Sequence, residues 1–164
     1  MPDLRWDDVK DVFDPKLMGA LPDLFVPDTT VDDWQALLNL VTTSGWTWKY
    51  EAGDTEEPLP SADIVLARPS DAEAAYLRVW PVPGVLAIFR FTSEHEIDFD
   101  VDLRELQGQD GVDSLCSFLR VIGRGLGKPV LMTNEGGSEE HPVLGYDPVK
   151  DKVTMLAEDS TVDP

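Results

Sequence analysis

The chain has 164 residues, 42% of them hydrophobic, and its 32 acidic and 13 basic side chains give a formal charge of −19. This length supports one core and is too short for two comfortable domains, so we expect a single domain over 1–164. Such a charge repels nucleic acid and anionic membranes and attracts basic partners. High solubility alone would explain the charge equally well.

The N-terminal sequence and the single cysteine indicate the cellular compartment. The start, MPDLRWDDVKDVFD, is charged throughout and lacks the apolar run of a signal peptide. No window approaches the roughly 18 apolar residues of a membrane helix. The lone Cys116 cannot form an intramolecular disulfide and has no CxxC neighbour for zinc. We therefore expect a soluble, cytoplasmic protein in which Cys116 is a buried hydrophobic residue.

The two ends of the chain show little periodicity. Residues 1–29 contain four prolines and isolated apolar residues, which predicts an irregular arm laid over the body. Val9 and Phe13 are four apart, so a short helix near 6–13 fits this arm. At the other end we expect 158–164 to fray.

A first long helix is predicted after Thr30, which is a candidate N-cap with acids in the following turn. Ser44-Gly45 supplies the stop signal. Trp46, Trp48 and Tyr50 then alternate with polar residues, which is typical of a strand. The apolar residues of the helix recur at three- and four-residue spacing: Val31, Trp34, Leu37, Leu38 and Val41.

The middle of the chain is typical of several strands joined by short turns. Pro81–Gly84 has the length and chemistry of a hairpin turn. In chain order we predict a mobile loop at 52–61, a short strand at 64–67, hairpin strands at 76–80 and 85–91, and a strand near 95–102.

A second helix is predicted from Asp110, with Cys116 on its buried stripe. The run Gly123–Lys128 resembles a phosphate loop, but it follows a helix and precedes Pro129, so it indicates a helix stop. A strand at 128–133, an acidic loop at 134–140, and a hairpin of 143–146 with 153–156 complete the chain. The fold class is therefore α+β, with a mainly antiparallel sheet, two principal helices and a closing C-terminal hairpin.

One strand combines an apolar face with a row of acids. In EHEIDFDVD (94–102) alternate side chains point to opposite faces, so the acids lie together on the face that is not core. We predict that this stripe binds a basic partner, which would relieve its internal repulsion. The stripe consists of Glu96, Asp98, Asp100 and Asp102.

The stripe has three other interpretations. An EF-hand would need glycine where Leu103 stands and glutamate where Gln109 stands, so it is rejected. Alternate strand positions lie roughly 6.6 to 6.8 Å apart, which would suit the two carboxylates of an inverting glycosidase. A solvated strand face would cost only about 1 kcal/mol in repulsion. The last two interpretations stay open.

The remaining chemistry-bearing residues give no catalytic motif. His95 and His141 are the only histidines, and neither belongs to a nucleophile or zinc signature. We therefore assign no catalytic residue, no metal ligand and no cofactor. Three strand tryptophans, Trp46, Trp48 and Trp80, are expected in the core.

The segments FDVDLREL (99–106), LCSFLRVIGRGLGKPVLMTNEGG (115–137) and HPVLGYDPVKDKV (141–153) carry a resemblance. They resemble small acidic immunity proteins encoded beside polymorphic toxins in actinobacteria. The arrangement is also similar to the YbjN and type III secretion chaperone-like fold. The first resemblance implies a non-enzymatic protein that binds and blocks a cognate toxin, and the second implies peptide binding. Neither implies particular site residues.

Three functional hypotheses follow from the sequence. The first is a non-enzymatic acidic protein that neutralises a basic protein partner, namely a toxin. The second is a peptide-binding, chaperone-like module with an exposed apolar groove. The third is a hydrolase that works through its carboxylates.

Overall fold

The computed structural model describes residues 2–69 and 71–156. The helices are α1 (Trp6–Val9), α2 (Pro15–Met18), α3 (Val31–Thr43), α4 (Ala62–Leu66) and α5 (Gly108–Leu126), with a 3₁₀ turn at Leu103–Glu105. The strands are β1 (Asp23–Val26), β2 (Thr47–Ala52), β3 (Thr55–Glu56), β4 (Ala75–Val82), β5 (Val85–Ser93), β6 (Glu96–Asp100), β7 (Val130–Thr133), β8 (Leu144–Asp147) and β9 (Lys152–Met155).

The nine strands in the described part of the chain form one sheet. Their order is β3-β2-β4-β5-β6-β1-β7-β8-β9, and every neighbouring pair is antiparallel. Short turns connect four of the eight pairs of successive strands, as antiparallel pairing allows. The predicted α+β class with a mainly antiparallel sheet is confirmed, as are the two principal helices and the C-terminal hairpin.

Helix α3 begins and ends where the sequence predicts, whereas α5 begins at Gly108, two residues before the predicted start at Asp110. Thr30 and Asp33 form a capping box at the start of α3: the Asp33 N–H donates to Thr30 Oγ1 at 3.2 Å, and the Thr30 N–H donates to the Asp33 carboxylate at 3.0 Å. Helix α5 ends at Gly127, whose φ of +66° is a left-handed value that favours glycine. Within the described residues, no helix is long and apolar enough to cross a membrane.

Helices α3 and α5 pack against each other, and aromatic rings join α5 to the middle of the sheet. Phe89 on β5 stacks on Phe99 of β6 with ring centroids 4.5 Å apart. Phe118 of α5 packs edge-on against Phe99 at 5.7 Å. These three side chains are buried, so they mark the inner, helix-covered face of the sheet. The opposite face, here called the outer face, carries the side chains that alternate with them.

The prediction of an irregular arm at 1–29 is wrong for its last third. Residues Asp23–Val26 form β1, which lies in the middle of the sheet between β6 and β7. Leu24 and Val26 are fully buried there. Pro22 and Pro27 flank the strand and leave its pairing residues free to donate their N–H groups.

Two shorter predictions are also corrected. The segment 64–67 is not a strand, because Ala62–Leu66 forms helix α4, whose Val65 is buried. The loop predicted at 52–61 contains β3, which folds back on β2. The predicted fraying at 158–164 lies outside the described residues.

Candidate functional site

The predicted acidic stripe lies at the centre of the sheet rather than at an edge. Strand β6 pairs with β5 on one side and β1 on the other. Asp98 is opposite Arg90 on β5 and Phe25 on β1, while Asp100 is opposite Asp23 on β1. Because paired residues share a face, these side chains lie together on the outer face.

Asp100 is the most enclosed member of the stripe, with 7% of its surface exposed. Its Oδ2 lies 2.7 Å from Nη2 of Arg90 on β5. Burial raises the pKa of Asp100, and the hydrogen bond from Arg90 acts in the opposite direction. The interpretation of the whole stripe as a solvated face is therefore wrong at Asp100.

Asp98 is half-buried and only partly satisfied. Its Oδ2 accepts a hydrogen bond from Thr92 Oγ1 at 3.3 Å. Its Oδ1 is buried and has no hydrogen-bond partner among the described residues. Burial is the main cause of the raised pKa of Asp98. The hydrogen bond from Thr92 and the charge of Arg90 act in the opposite direction and lower this pKa. A carboxylate oxygen without a partner is a costly feature inside a fold.

Glu96 is partly buried at the start of β6 and faces another carboxyl group. Burial and a hydrogen bond with Glu139 raise the pKa of Glu96 to about 7, and repulsion from Asp98 adds to this. Two neighbouring carboxyl groups cannot both ionise cheaply, so the nearby Glu139 favours the protonated form of Glu96. The Glu96 carboxyl group therefore titrates near neutral pH.

Asp102 does not join the other three acids in the strand. Strand β6 ends at Asp100, and Asp102 caps the 3₁₀ turn that follows. Its carboxylate accepts hydrogen bonds from Nε and Nη2 of Arg104 at 2.9 and 2.8 Å. These bonds lower the pKa of Asp102. Its charge is thus neutralised locally.

Acids from other parts of the chain complete what we call the acidic cluster. Its members interact electrostatically with one another: Asp23, Glu96, Asp98, Asp100, Glu135 and Glu139. A cavity of about 250 Å³ lies among Asp23, Asp98 and Glu139, with Phe25, Arg90 and Thr133 also on its wall. Pockets for small-molecule ligands usually measure about 300 to 1,000 Å³, so this cavity is smaller than most of them.

Sequence reasoning missed Asp23, Glu135 and Glu139 as members of this cluster. Asp23 falls in the segment predicted as an irregular arm. The two glutamates fall in the predicted loop 134–140, and the sequence does not show where this loop lies relative to the sheet. Local alternation identifies residues on the same face of one strand only. The available signal was the acidic composition of 134–140.

The other candidate catalytic groups are poorly placed for chemistry. Cys116 is buried on α5, and burial raises the pKa of its thiol to about 12. His95 is exposed and lies 3.6 Å from Glu94, while His141 is exposed in the loop before β8. Within 2–69 and 71–156, no group of three or more His, Cys, Asp and Glu side chains could hold a metal ion.

A second surface feature lies where β2 and β4 meet. A cleft of about 590 Å³ is lined by Gly45, Trp46, Thr47, Trp48, Lys49, Trp80, Pro81, Val82 and Pro83. Trp46 packs edge-on against Phe118 of the core at 5.0 Å. Trp80 follows the buried Val79 on β4, so it faces outward and lines the cleft. The prediction of a core position is therefore wrong for Trp80.

Comparison with known proteins gives no relative from which a function could be transferred. No family model, no curated protein and no solved structure matches this chain.

Proposed function

We propose that the protein is a non-enzymatic acidic binding protein that neutralises a basic protein partner, as an immunity protein does with its toxin. The observation that carries this proposal is the convergence of β1, β6 and the loop after β7 into one acidic cluster. Asp23, Glu135 and Glu139 are its exposed members. They are the carboxylates that a partner in the cytoplasm would meet first.

The charge balance of the cluster supports a basic partner. Arg90 is the cation on the cavity wall, and it is already bonded to Asp100. The remaining carboxylates therefore keep a net negative field at the surface. With a formal charge of −19 behind it, this field steers basic proteins toward the cluster.

The test measures association kinetics with a defined partner. A basic protein retained from the native cell at low salt and released at high salt is purified, and its kon is measured against the wild-type protein. We expect Glu135→Gln with Glu139→Gln to lower kon about 3- to 10-fold and to weaken its salt dependence, since rim charges act mainly on association.

A matched control has the same change in net charge at a distant surface. Glu56 and Glu57 are adjacent exposed acids at the β3 edge, so Glu56→Gln with Glu57→Gln should leave kon within about twofold. An equal effect of both double variants would assign the attraction to total charge and contradict a site at the cluster. A partner whose toxic activity continues in the complex would contradict neutralisation.

The tryptophan-lined cleft favours a second candidate, the peptide-binding module. Trp80 and the neighbouring prolines offer an apolar surface of the kind that binds extended peptides, and Val82 is 36% exposed beside them. This candidate predicts that an apolar dye binds the folded protein at the cleft. Trp80→Ala should then abolish the dye signal at unchanged stability, whereas absence of dye binding by the wild type excludes the candidate.

A further inference from the structure

Strand β2 is only partly covered on the side that faces away from β4. Its partner there is the short strand β3, which pairs with the last two residues of β2. Just after β3, Glu57 donates its N–H to the carbonyl of Tyr50 at 3.0 Å. Pro58 follows, and it has no N–H with which the pairing could continue. Among the described strands none other lies on this side of β2, so the edge beside Thr47–Lys49 is open.

The open edge presents the backbone groups of Trp48. Successive residues of a strand direct their N–H and C=O groups to opposite sides, so Trp48 points these groups the same way as Tyr50, whose carbonyl faces Glu57. The N–H and C=O of Trp48 are therefore directed away from β4, toward the place where a further strand would lie. Such groups on an edge strand form a template for an extended peptide.

The opposite edge of the sheet is protected from strand addition. There the Asp3 carboxylate accepts the N–H of Val153 on β9 at 2.9 Å, and an ion pair with Arg120 holds Asp3 in place. A charged group over an edge strand is a common protection against unwanted pairing. The described residues that line the cleft beside Trp48 include no acid that could act in this way.

The tryptophan-lined cleft lies at the open edge of β2 and carries a cation. Trp48 and Lys49 both line it, and Lys49 is the charged residue of the lining in a chain with a formal charge of −19. The acid nearest to Lys49 on the same face of β2 is Glu51, which is bonded to Arg78 of β4 at 2.5 Å. Lys49 is therefore placed to pair with a carboxylate of an incoming chain.

We propose that the edge of β2 at Thr47–Lys49 binds an extended peptide as an added antiparallel strand, with an apolar side chain toward the tryptophans and a carboxylate beside Lys49. The direction follows from β3, which lies on the same side of β2, is antiparallel to it, and has the added strand in line with it. At its centre the peptide exchanges two backbone hydrogen bonds with Trp48. This proposal rests on the second candidate function, the peptide-binding module.

A short synthetic peptide tests the strand addition. The probe is the capped pentapeptide acetyl-Val-Asp-Val-Thr-Val-amide, whose central valine lies opposite Trp48 and whose aspartate lies opposite Lys49 in the proposed register. Titration of the isotope-labelled full chain, followed by NMR, should shift the amide signals of Trp46–Tyr50 and leave those in the middle of α5 unchanged. N-methylation of the central valine prevents both bonds to Trp48 and should weaken binding at least about tenfold.

N-methylation of the aspartate provides the matched control, because the N–H of that residue points away from β2 in an antiparallel pair. This peptide should bind within about threefold of the unmethylated peptide. Lys49→Gln should weaken binding of the unmethylated peptide about threefold, as expected for one exposed ion pair. Lys150→Gln removes an exposed lysine from the distant β8–β9 turn and should leave the affinity unchanged.

The possible outcomes separate strand addition from the candidate function on which it rests. The proposal is overturned if the unmethylated peptide does not shift Trp46–Tyr50, or if the two methylated peptides bind with equal affinity. In either case, dye binding at the cleft that Trp80→Ala abolishes would keep the peptide-binding module and reject only this mode of recognition. Absence of dye binding by the wild type would reject the module itself.

Discussion

Arg90 on β5 reaches diagonally across the sheet to Asp100 on β6, where Nη2 and Oδ2 lie 2.7 Å apart. The directly opposite residue of Arg90 is Asp98, so the guanidinium bonds one acid and lies beside another. Asp100 is nearly inaccessible, whereas Asp98 keeps an oxygen that has no hydrogen-bond partner in the part of the chain that the structure describes. The ion pair thus neutralises Asp100, the most buried member of the acidic cluster, and does not neutralise the exposed members.

Removing the guanidinium should destabilise the fold measurably. Arg90→Met keeps the apolar part of the side chain but leaves the Asp100 carboxylate buried without its cation, at a cost of about 2 kcal/mol in the free energy of unfolding. The loss should be larger at pH 8 than at pH 5, because Asp100 can take up a proton at the lower pH. Urea denaturation at both pH values measures the effect.

The matched control is Arg104→Met, which removes the guanidinium of an exposed pair. Arg104 is 67% exposed and bonds Asp102, so its loss should cost no more than about 1 kcal/mol. Equal costs for the two variants would show that the Arg90–Asp100 pair gains nothing from its enclosed position.

A second prediction concerns the close approach of α5 to β8. A Cβ atom added at Gly123 would lie 2.1 Å from the Tyr146 ring, whose hydroxyl donates to Asp151 at 2.5 Å. Because the ring is tethered, Gly123→Ala should destabilise the protein by about 1 to 3 kcal/mol. Thermal or urea unfolding measures the change.

Gly125 on the same helix provides the comparison. A Cβ there would meet only the end of the Leu40 side chain at 3.2 Å, and alanine favours a helix by about 1 kcal/mol over glycine. Gly125→Ala should therefore be neutral or mildly stabilising. A Gly123→Ala protein as stable as Gly125→Ala would show that the ring of Tyr146 moves aside easily.

The sequence predicted the elements whose signals are local. Helix α3 has its capping box and apolar stripe within fourteen residues, from Thr30 to Thr43, and the β4–β5 hairpin has its turn between its strands. Strand β1 has only four residues between two prolines, and its partners β6 and β7 lie far along the chain. A run this short has no period to detect, so only tertiary pairing makes it a strand.

The candidate site, like the fold, was predictable only where its signal is local. Alternation placed Glu96, Asp98 and Asp100 on one face correctly. It could not reveal that Asp100 would be paired with Arg90, since strand register decides that contact. Glu139 reaches the cluster through the path of a loop, for which sequence periodicity gives no rule.

The chemistry of Cys116 gives a third prediction. With a thiol pKa of about 12 against an ordinary value of 9.0, the folded protein should hold about a thousandfold less thiolate than the unfolded chain near pH 8. A thiol-specific disulfide reagent should therefore react with the folded protein only slowly and with the urea-unfolded protein rapidly. Rapid reaction of the folded protein would contradict a buried structural role for Cys116 and would favour a nucleophilic role for its thiol.

The acidic cluster should also make global stability depend on pH with a definite sign. Because the pKa of Glu96 is about 7 in the folded state and 4.5 ordinarily, the folded protein binds more protons than the unfolded chain between these values. Stability contributed by this group is therefore present at low pH and falls as pH rises from about 4.5 through 7. Asp98 and Asp100, whose pKa values are also raised by burial, change stability in the same direction. Urea midpoints measured from pH 5 to pH 8 should decline for the wild type and decline less steeply for Glu96→Gln. A Glu96→Gln profile parallel to that of the wild type would place the proton uptake on other groups.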